Sequence, residues 1–361
     1  MTGSFRRYLR AKRSVDDRAL DRRLVGLFRE RLAERASRSE QAESATKREQ
    51  AESATKREQA ESATKTERGE GASGPLRVLE VGAGVGTMVA RLIDWEVLPP
   101  GRTRYVAVDR DGDTLSGFSP FLREWAAGRS DVSITDAGPP ADGGSPADEG
   151  RLVVESPTRT VEVEPVAADA AAYAESTRGE WDALIGMALL DVLGLDRLDP
   201  LLSALAPGGT YYFPITFDGG TRFRPSRPDD RAVERLYHRH MDEKPGGTSR
   251  AGGDALDRLR EANGSTLLGV AGSDWIVRPD DSGGGYPGDE AYFLQHILDS
   301  VEEAVGEVIA EEAQRRVDAA GSLSAVDLDA WLAGRREQAD AGELVYLTHQ
   351  LDLLGRVDGG A

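Results

Sequence analysis

An apolar run that ends in a glycine-rich turn is the feature that most constrains how this chain can fold. Residues 78–87 read Val-Leu-Glu-Val-Gly-Ala-Gly-Val-Gly-Thr, and the mainly apolar segment 88–95 follows. This pattern predicts a strand, a tight turn and a helix. Because glycine has no side chain, the backbone amides of such a turn can approach a ligand at the end of the strand. We therefore expect a nucleotide-like ligand at this turn.

The spacing of the glycines separates two classes of ligand. A G-x-G-x-x-G dinucleotide motif would have its third glycine at position 87, where this chain has Thr87, and the third glycine is instead Gly86. Glu80 lies two residues before Gly82. A carboxylate at that point repels a pyrophosphate and attracts a sulfonium ligand that has an amino group. These residues favour S-adenosylmethionine as the cofactor.

A second carboxylate follows the next predicted strand. Residues 105–109 read Tyr-Val-Ala-Val-Asp. At the end of a strand beside the glycine-rich turn, Asp109 could hydrogen-bond both ribose hydroxyls of a nucleotide. An aspartate at this point is also a common helix N-cap.

Short apolar runs alternate with helical segments from Pro75 onward. This alternation predicts an α/β fold with a doubly wound, mostly parallel sheet. We expect seven strands, with a hairpin of 152–155 and 161–163 leading into the third and a surface loop at 136–150. The predicted strands are 77–81, 104–108, 160–166, 183–187, 210–217, 266–273 and 344–349.

The segment 80–109 resembles motifs I and II of the class I S-adenosylmethionine-dependent methyltransferases. The resemblance continues at Asp169 after the third strand, at 181–191 in the fourth strand and its active-site loop, and at 205–210 before the fifth strand. It covers residues 77–217, and the acidic composition is similar to that of haloarchaeal members.

This resemblance implies a set of cofactor contacts. Asp169 would lie near the adenine amino group, the first helices would fold over the cofactor as a lid, and an antiparallel seventh strand would match 342–354. The cofactor-binding residues would be Glu80, Gly82, Ala83, Gly84, Gly86, Asp109, Arg110, Asp169 and Met187.

The chain divides into three segments by composition. Residues 1–38 contain 12 basic and 5 acidic residues, and their leucines are spaced as one face of a helix, which predicts an amphipathic helical segment. Residues 39–74 contain three tandem nine-residue copies that present no continuous apolar stripe, which predicts a disordered or solvated linker. Residues 75–361 form the methyltransferase domain. Its helical insertions are expected at about 218–264, as a cap after the fifth strand, and at 288–340.

The charge of the chain limits its partners. The 63 acidic and 45 basic residues give a formal net charge of -18, and the acidic excess lies beyond residue 75. This disfavours nucleic acid as a partner and suggests a cytoplasm rich in salt. No signal peptide or membrane span is predicted. The absence of cysteine excludes disulfides, thiolate metal sites and a cysteine nucleophile.

The sequence points to a small-molecule acceptor without identifying it. The loop 186–189 corresponds to the family's active-site loop but lacks the Asn/Asp-Pro-Pro-aromatic pattern of family members that methylate adenine or amide nitrogens. The resemblance therefore disfavours these two acceptors. His238 and His240 are candidate general bases, and Met187 is a further candidate in the active-site loop. No metal is expected, because no third ligand of suitable spacing follows the two histidines. Candidate pocket residues are Trp275, Tyr286, Tyr292 and His296, and His349 is expected to be structural.

Two other functions remain open at this stage. One is an NAD(P)-dependent oxidoreductase on the same type of sheet, which Glu80 and Thr87 oppose. The other is a non-catalytic cofactor-binding module that presents the basic N-terminal segment or the repeats to a macromolecule.

Overall fold

The computed structural model describes five ranges of the chain, which are residues 2–38, 74–137, 150–281, 285–317 and 327–359. The nine-residue repeats, almost all of the predicted linker 39–74 and most of the predicted surface loop lie outside these ranges.

The N-terminal segment forms two helices, α1 (Thr2–Ala19) and α2 (22–38). The leucines that predicted an amphipathic face are buried, as Leu20 and Leu24 are, and they join the core under the sheet. Burial of this face attaches the N-terminal helices to the rest of the molecule.

The remaining elements alternate along the chain as expected of an α/β fold. The strands are β1 (Leu76–Val81), β2 (Gly101–Asp109), β3 (Ser133–Asp136), β4 (Leu152–Ser156), β5 (Arg159–Ala167), β6 (Trp181–Ile185), β7 (Leu205–Arg224), β8 (Ser265–Gly272), β9 (Trp275–Val277) and β10 (Val345–Val357). The helices are α3 (Thr87–Asp94), α4 (Gly112–Leu115), α5 (Phe118–Ala127), α6 (Ala170–Ser176), α7 (Leu190–Leu193), α8 (Leu198–Ser203), α9 (Asp230–Glu243), α10 (Ala251–Glu261), α11 (Glu290–Val317) and α12 (Leu328–Asp340).

All these strands belong to one mixed sheet. Its order is β3-β4-β5-β2-β1-β6-β7-β10-β8, with β9 paired to β10. The five central strands from β5 to β7 are parallel, whereas β10 is antiparallel to both β7 and β8. Because the chain leaves β1 for β2 on one side and later enters β6 on the other, β1 is a topological switch point.

Strand β1 is buried on both sides of the sheet. Val78 packs into the core beneath α2, α3 and α5, while Leu79 and Val81 pack into the core beneath α6, α8 and α10. This burial explains why β1 is mainly apolar and does not alternate strictly between apolar and polar residues, which is typical of a parallel strand between two helix layers.

The predicted count of seven strands is wrong, because the sheet has ten. All seven predicted strands are present, and the predicted hairpin is the antiparallel pair of β4 and β5. The additional strands are β3, β4 and the three-residue β9. Each lies at an edge of the sheet or beside it, where a short pairing needs no long apolar run in the sequence.

The predicted helical insertion at 218–264 is helical only in part. Residues 218–224 continue β7, because the backbone at 221–224 pairs with the start of β10. Helix α9 packs on α11, but α10 lies against β7, β8 and β10 and covers the sheet. The cap is therefore smaller than predicted. No helix of the described residues is long and apolar enough to cross a membrane.

Candidate functional site

A cleft of about 810 Å³ opens at the carboxyl ends of β1, β2 and β6. Ligands of open α/β sheets bind at this edge beside the switch point. The floor of the cleft is the glycine-rich loop after β1, and one wall is α1, which contributes Phe5, Tyr8, Leu9, Lys12 and Asp16. Helix α1 thus lies over the cleft, as expected of a lid.

The glycine-rich loop has a backbone that other residues rarely adopt. Gly82, Gly84 and Gly86 have φ angles of 70°, 57° and 87°. A Cβ atom on Gly82 would lie 2.8 Å from Leu189 Cδ1, and one on Gly86 would lie 2.8 Å from the Phe118 ring. The loop therefore needs glycine both for its conformation and for its close packing.

Asp109 connects this loop to the end of β2. Its Oδ2 accepts a hydrogen bond of 2.9 Å from the backbone amide of Gly84, and its Oδ1 accepts one of 3.0 Å from the amide of Asp111. Each carboxylate oxygen retains one lone pair for a ligand. The carboxylate is thus held in place on the cleft wall.

Glu80 is a buried carboxyl group on the floor of the cleft. Its Oε2 accepts a hydrogen bond of 2.7 Å from the phenol of Tyr105. Burial raises the pKa of Glu80 to about 8, although Tyr105 and the nearby Arg91 oppose the shift. The group is therefore protonated at neutral pH until a cation is bound beside it.

Asp169 forms the N-cap of α6 at the side of the cleft. It accepts a hydrogen bond from the amide of Ala172 and forms an ion pair of 2.7 Å with Arg197. The hydrogen bond from Ala172, together with the charge of Arg197, lowers the pKa of Asp169. This carboxylate is therefore ionised at neutral pH.

Two aspartates fasten α1 over the cleft. The buried Asp16 accepts hydrogen bonds from Lys12 Nζ at 2.8 Å and from Trp275 Nε1 at 3.0 Å. Asp17 forms an ion pair of 2.5 Å with Arg91, a buried residue of α3. These contacts join α1 to β9 and to the helix that follows the glycine-rich loop.

The loop after β6 forms the opposite wall. Met187 lines the cleft, and its Sδ lies 3.5 Å from Arg91 Nη1. The next residue, Ala188, has a φ of 49°, and its backbone amide donates a hydrogen bond to the carbonyl oxygen of Pro214. Asp191 follows at the first turn of α7, also in the cleft.

The structure brings together eight of the nine predicted cofactor residues around this cleft. The exception is Gly86, which lies behind the loop against Phe118. The sequence analysis expected the first helices over the cleft but did not name the side chains that line it, although Phe5, Tyr8, Leu9, Lys12 and Asp16 share one helical face in the printed sequence.

The two histidines proposed as general bases do not line the cleft. His238 Nε2 lies 3.1 Å from Thr221 Oγ1 on β7, and burial lowers the pKa of His238. His240 forms an ion pair of 2.7 Å with Glu307 on α11. Both side chains instead connect α9 to its neighbours.

Of the candidate pocket aromatics, Trp275 lines the cleft. Tyr286 donates to the carbonyl of Leu344, and Tyr292 donates to that of Ser4. His296 packs on Tyr8 with ring centroids 4.1 Å apart, and His349 pairs with Asp274 at 2.7 Å. These four residues contribute packing between elements.

The cleft has an acidic lining. Three basic side chains line it, Lys12, Arg110 and Arg197, and the first and last of these pair with aspartates. The seven acidic residues that line it are Asp16, Glu80, Asp109, Asp111, Asp169, Asp191 and Asp196. In the part of the chain that the structure describes, no cluster of three or more potential ligands could hold a metal ion.

Neither a family model nor a curated protein matches this chain. Among solved structures, one from work on the conversion of a disulfide into a thioacetal during echinomycin biosynthesis is 16% identical, with a TM-score of 0.35 and coverage of 79% of this chain and 77% of that one. The cyclopropane synthase MmaA2 from Mycobacterium tuberculosis is 13% identical, with a TM-score of 0.36 and coverage of 78% of each chain.

A third similar structure is phosphoethanolamine N-methyltransferase 2 from Haemonchus contortus in complex with S-adenosyl-L-methionine. It is 14% identical, with a TM-score of 0.34, and the match covers 79% of this chain and 49% of that one. This chain therefore matches about half the length of that protein. Such low TM-scores support no functional conclusion, so we infer the function from the cleft itself.

Proposed function

We propose that this protein is an S-adenosylmethionine-dependent methyltransferase with a small-molecule acceptor. The observation that supports this most directly is the buried Glu80 at the glycine-rich loop of an acidic cleft. A pyrophosphate would meet the carboxylate of Asp109 and could not form an ion pair with Glu80, whereas a ligand with an ammonium and a sulfonium can displace the proton of Glu80 and pair with its carboxylate.

The residues present fit this cofactor. The glycine-rich loop forms a cradle whose backbone a ligand can approach because Gly82 has no side chain, and a Cβ there would lie 2.8 Å from Leu189 Cδ1. Glu80 would hold the amino group, Asp109 has lone pairs for the ribose hydroxyls, and Asp169 lies at the side proposed for adenine. Ala83, Gly84, Arg110 and Met187 complete the lining on this side.

The cofactor would supply an electrophilic methyl group on a sulfonium. The chain itself would orient both partners and exclude water, which together account for much of the rate in such displacements. Helix α1, fastened through Asp16 and Asp17, covers the cleft for this purpose. The cleft walls would hold the reacting atoms in line.

A small acceptor suits the size and the charge of the cleft. Beyond the proposed cofactor contacts, Phe5, Tyr8 and Trp275 form its lining together with Asp191. Residues beyond position 75 include 27 basic and 50 acidic ones, which disfavours a nucleic-acid acceptor. Comparing the metabolites of a deletion strain and its parent for a species lighter by one methyl group would identify the acceptor.

Calorimetry with S-adenosylhomocysteine and NADH tests the proposal. We expect S-adenosylhomocysteine to bind and NADH not to bind, and the Asp109→Ala variant to lose most of the affinity. Asp136→Ala is the matched control, because Asp136 is an exposed carboxylate on β3 outside the cleft. Tight binding of NADH without S-adenosylhomocysteine would instead indicate the oxidoreductase.

A non-catalytic cofactor-binding module is tested by deleting residues 39–66. If methyl transfer persists while binding of a macromolecule is lost, residues 39–66 contribute to binding that macromolecule. We expect neither property to change. Binding of S-adenosylhomocysteine without turnover of any acceptor would favour the non-catalytic module.

We also propose that the acidic composition is an adaptation to a salt-rich cytoplasm, as in the haloarchaeal members that the sequence resembles. The chain has 40 arginines and 5 lysines, and its net charge is -18. Salt screens the repulsion among these carboxylates. We expect removal of molar salt to lower the midpoint of unfolding, and a midpoint that does not change would contradict this proposal.

A further inference from the structure

Asp191 is a carboxylate in the cleft that the proposed cofactor contacts do not use. Its Oδ1 is shielded from solvent and has no hydrogen-bond partner in the structure. A buried polar atom without a partner costs about 1–3 kcal/mol. A ligand that donates a hydrogen bond would remove this cost.

The backbone amide of Asp191 itself stabilises the charge of its carboxylate, but Oδ1 has no hydrogen-bond partner in the part of the chain that the structure describes. Lys12 acts on it from α1, but the Lys12 ammonium donates its hydrogen bond of 2.8 Å to Asp16. Tyr8 of α1 and Tyr237 of α9 also lie within electrostatic reach, and burial raises the pKa of both phenols, so both are neutral. Burial likewise raises the pKa of Asp191, to about 6.

The mouth of the cleft beside Asp191 is apolar. Phe5 is 41% exposed and Val192 is 73% exposed, and both line the cleft. Leu9 and Trp275 extend the same lining inward. Exposed apolar side chains beside a carboxylate suit a ligand with a cationic nitrogen and an apolar body.

We propose that the methyl acceptor is a primary or secondary amine on an apolar body, and that Asp191 binds its nitrogen and accepts its proton. This inference rests on the proposed methyltransferase function. An N–H bond of the ammonium breaks, its electron pair stays on nitrogen, and the proton forms an O–H bond with Oδ1. The neutral amine then has a free lone pair for methylation.

The same environment makes this proton transfer feasible. Removal from water disfavours the charged forms of both groups, so it lowers the pKa of the amine and raises that of the carboxyl. The two values therefore approach each other inside the cleft, although they differ widely in water.

Binding of two simple probes tests this inference without measuring activity. We would titrate n-hexylamine and n-hexanol, which share an apolar chain, into the protein with S-adenosylhomocysteine present and absent. We expect hexylamine to bind more tightly than hexanol. In Asp191→Asn, hexylamine should lose about tenfold or more in affinity, while hexanol and S-adenosylhomocysteine bind as before.

Asp199→Asn is the matched control. Asp199 is an exposed carboxylate on α8 that pairs with Arg258 outside the cleft, so its loss should change neither affinity. Asp191→Asn should fold at least as stably as the parent, because it removes an unpaired buried charge. Comparing the affinities of hexylamine and hexanol for the unaltered protein tests the inference even if a variant fails to fold.

Each outcome is decisive. No binding of hexylamine, equal binding of the two probes, or an unchanged hexylamine affinity in Asp191→Asn would overturn the role of Asp191. If S-adenosylhomocysteine still binds in that case, the proposed function stands. If S-adenosylhomocysteine does not bind, the cofactor assignment fails, and the titrations without it still test the amine site.

Discussion

The phenol of Tyr105 donates a hydrogen bond of 2.7 Å to Oε2 of Glu80, between two neighbouring parallel strands beneath the glycine-rich loop. Both side chains are buried. Burial keeps the carboxyl protonated, with a pKa raised to about 8, and the hydrogen bond from Tyr105 limits this shift. Glu80 is therefore a neutral group that an incoming cation can ionise.

The first prediction concerns the pH dependence of cofactor binding. Because Glu80 is protonated below its pKa of about 8, a ligand with an ammonium must displace that proton. The affinity for S-adenosylhomocysteine should thus rise roughly tenfold from about pH 6.5 to about pH 8.5 as the ionised fraction grows. Calorimetry in buffers of different ionisation enthalpy should detect proton release at neutral pH.

The control for this prediction is a ligand without the amino group. Methylthioadenosine should bind with little dependence on pH, and Glu80→Gln should abolish the pH dependence for S-adenosylhomocysteine. Tyr105→Phe should move the midpoint to higher pH, because it removes a hydrogen bond that stabilises the ionised carboxylate. An affinity of the unaltered protein that does not vary with pH would contradict the assignment of Glu80.

The second prediction concerns the glycine-rich loop. In Gly82→Ala the new methyl group would project into the cradle and approach Leu189, so the affinity for S-adenosylhomocysteine should fall at least about tenfold, which corresponds to about 1.4 kcal/mol. Gly101→Ala is the control, since Gly101 also has a positive φ, of 105°, but open space around its Cβ. Both variants should lose about 1–3 kcal/mol of stability from backbone strain, and only the first should lose affinity.

The third prediction concerns the attachment of α1. Arg91→Met removes the ion pair of 2.5 Å with Asp17, which keeps only Arg13 at 3.9 Å among the described residues, and removes a buried guanidinium from Asp16. We expect a loss of about 3 kcal/mol in the free energy of unfolding in urea, together with faster proteolysis within α1. Arg102→Met is the control, because Arg102 pairs with Glu162 on the surface, and its loss should cost less than about 1 kcal/mol.

The fourth prediction concerns Asp352, a buried carboxyl on β10. It accepts hydrogen bonds from the backbone amides of Asp21 and Ile215 and from the phenol of Tyr212, at 3.0, 2.9 and 3.0 Å. Asp352→Ala leaves these donors unpaired and should cost about 3 kcal/mol of stability. Asp352→Asn, which keeps one acceptor oxygen, should cost less.

The control for Asp352→Ala is Asp358→Ala, at the residue that follows the end of β10. Asp358 is exposed and accepts a side-chain hydrogen bond from Thr266. Its replacement by alanine should change the free energy of unfolding by no more than about 0.5 kcal/mol. Equal losses for the two variants would show that the contacts of Asp352 are unimportant.

The sheet was predictable where local patterns are strong. The buried strands β1 and β6 are mainly apolar, so their positions were predicted to within about two residues. Strand β9 and the extension of β7 were missed. Their pairing depends on β10, whose paired residues lie about 70 positions after β9 and more than 120 positions after the extension of β7.

The side of the cleft that we propose for the cofactor could be located from the sequence for a related reason. Glu80, Gly82, Gly84 and Asp109 belong to one strand-turn-helix-strand unit, so their spacing alone brings them to one edge of the sheet. The side of the cleft that we propose for the acceptor could not be located from the sequence. His238 and His240 were chosen for their chemistry, but α9 turns them toward β7 and α11.

The sequence by itself therefore determined the mostly parallel α/β sheet and the glycine-rich loop with the carboxylates beside it, because each depends on residues close together in the chain. The tertiary structure alone decided which side chains of α1 line the cleft and that Asp191 Oδ1 has no hydrogen-bond partner among the described residues. Those results depend on contacts such as Arg91 with Asp17 and Trp275 with Asp16. Such contacts join distant segments, and no local periodicity records them.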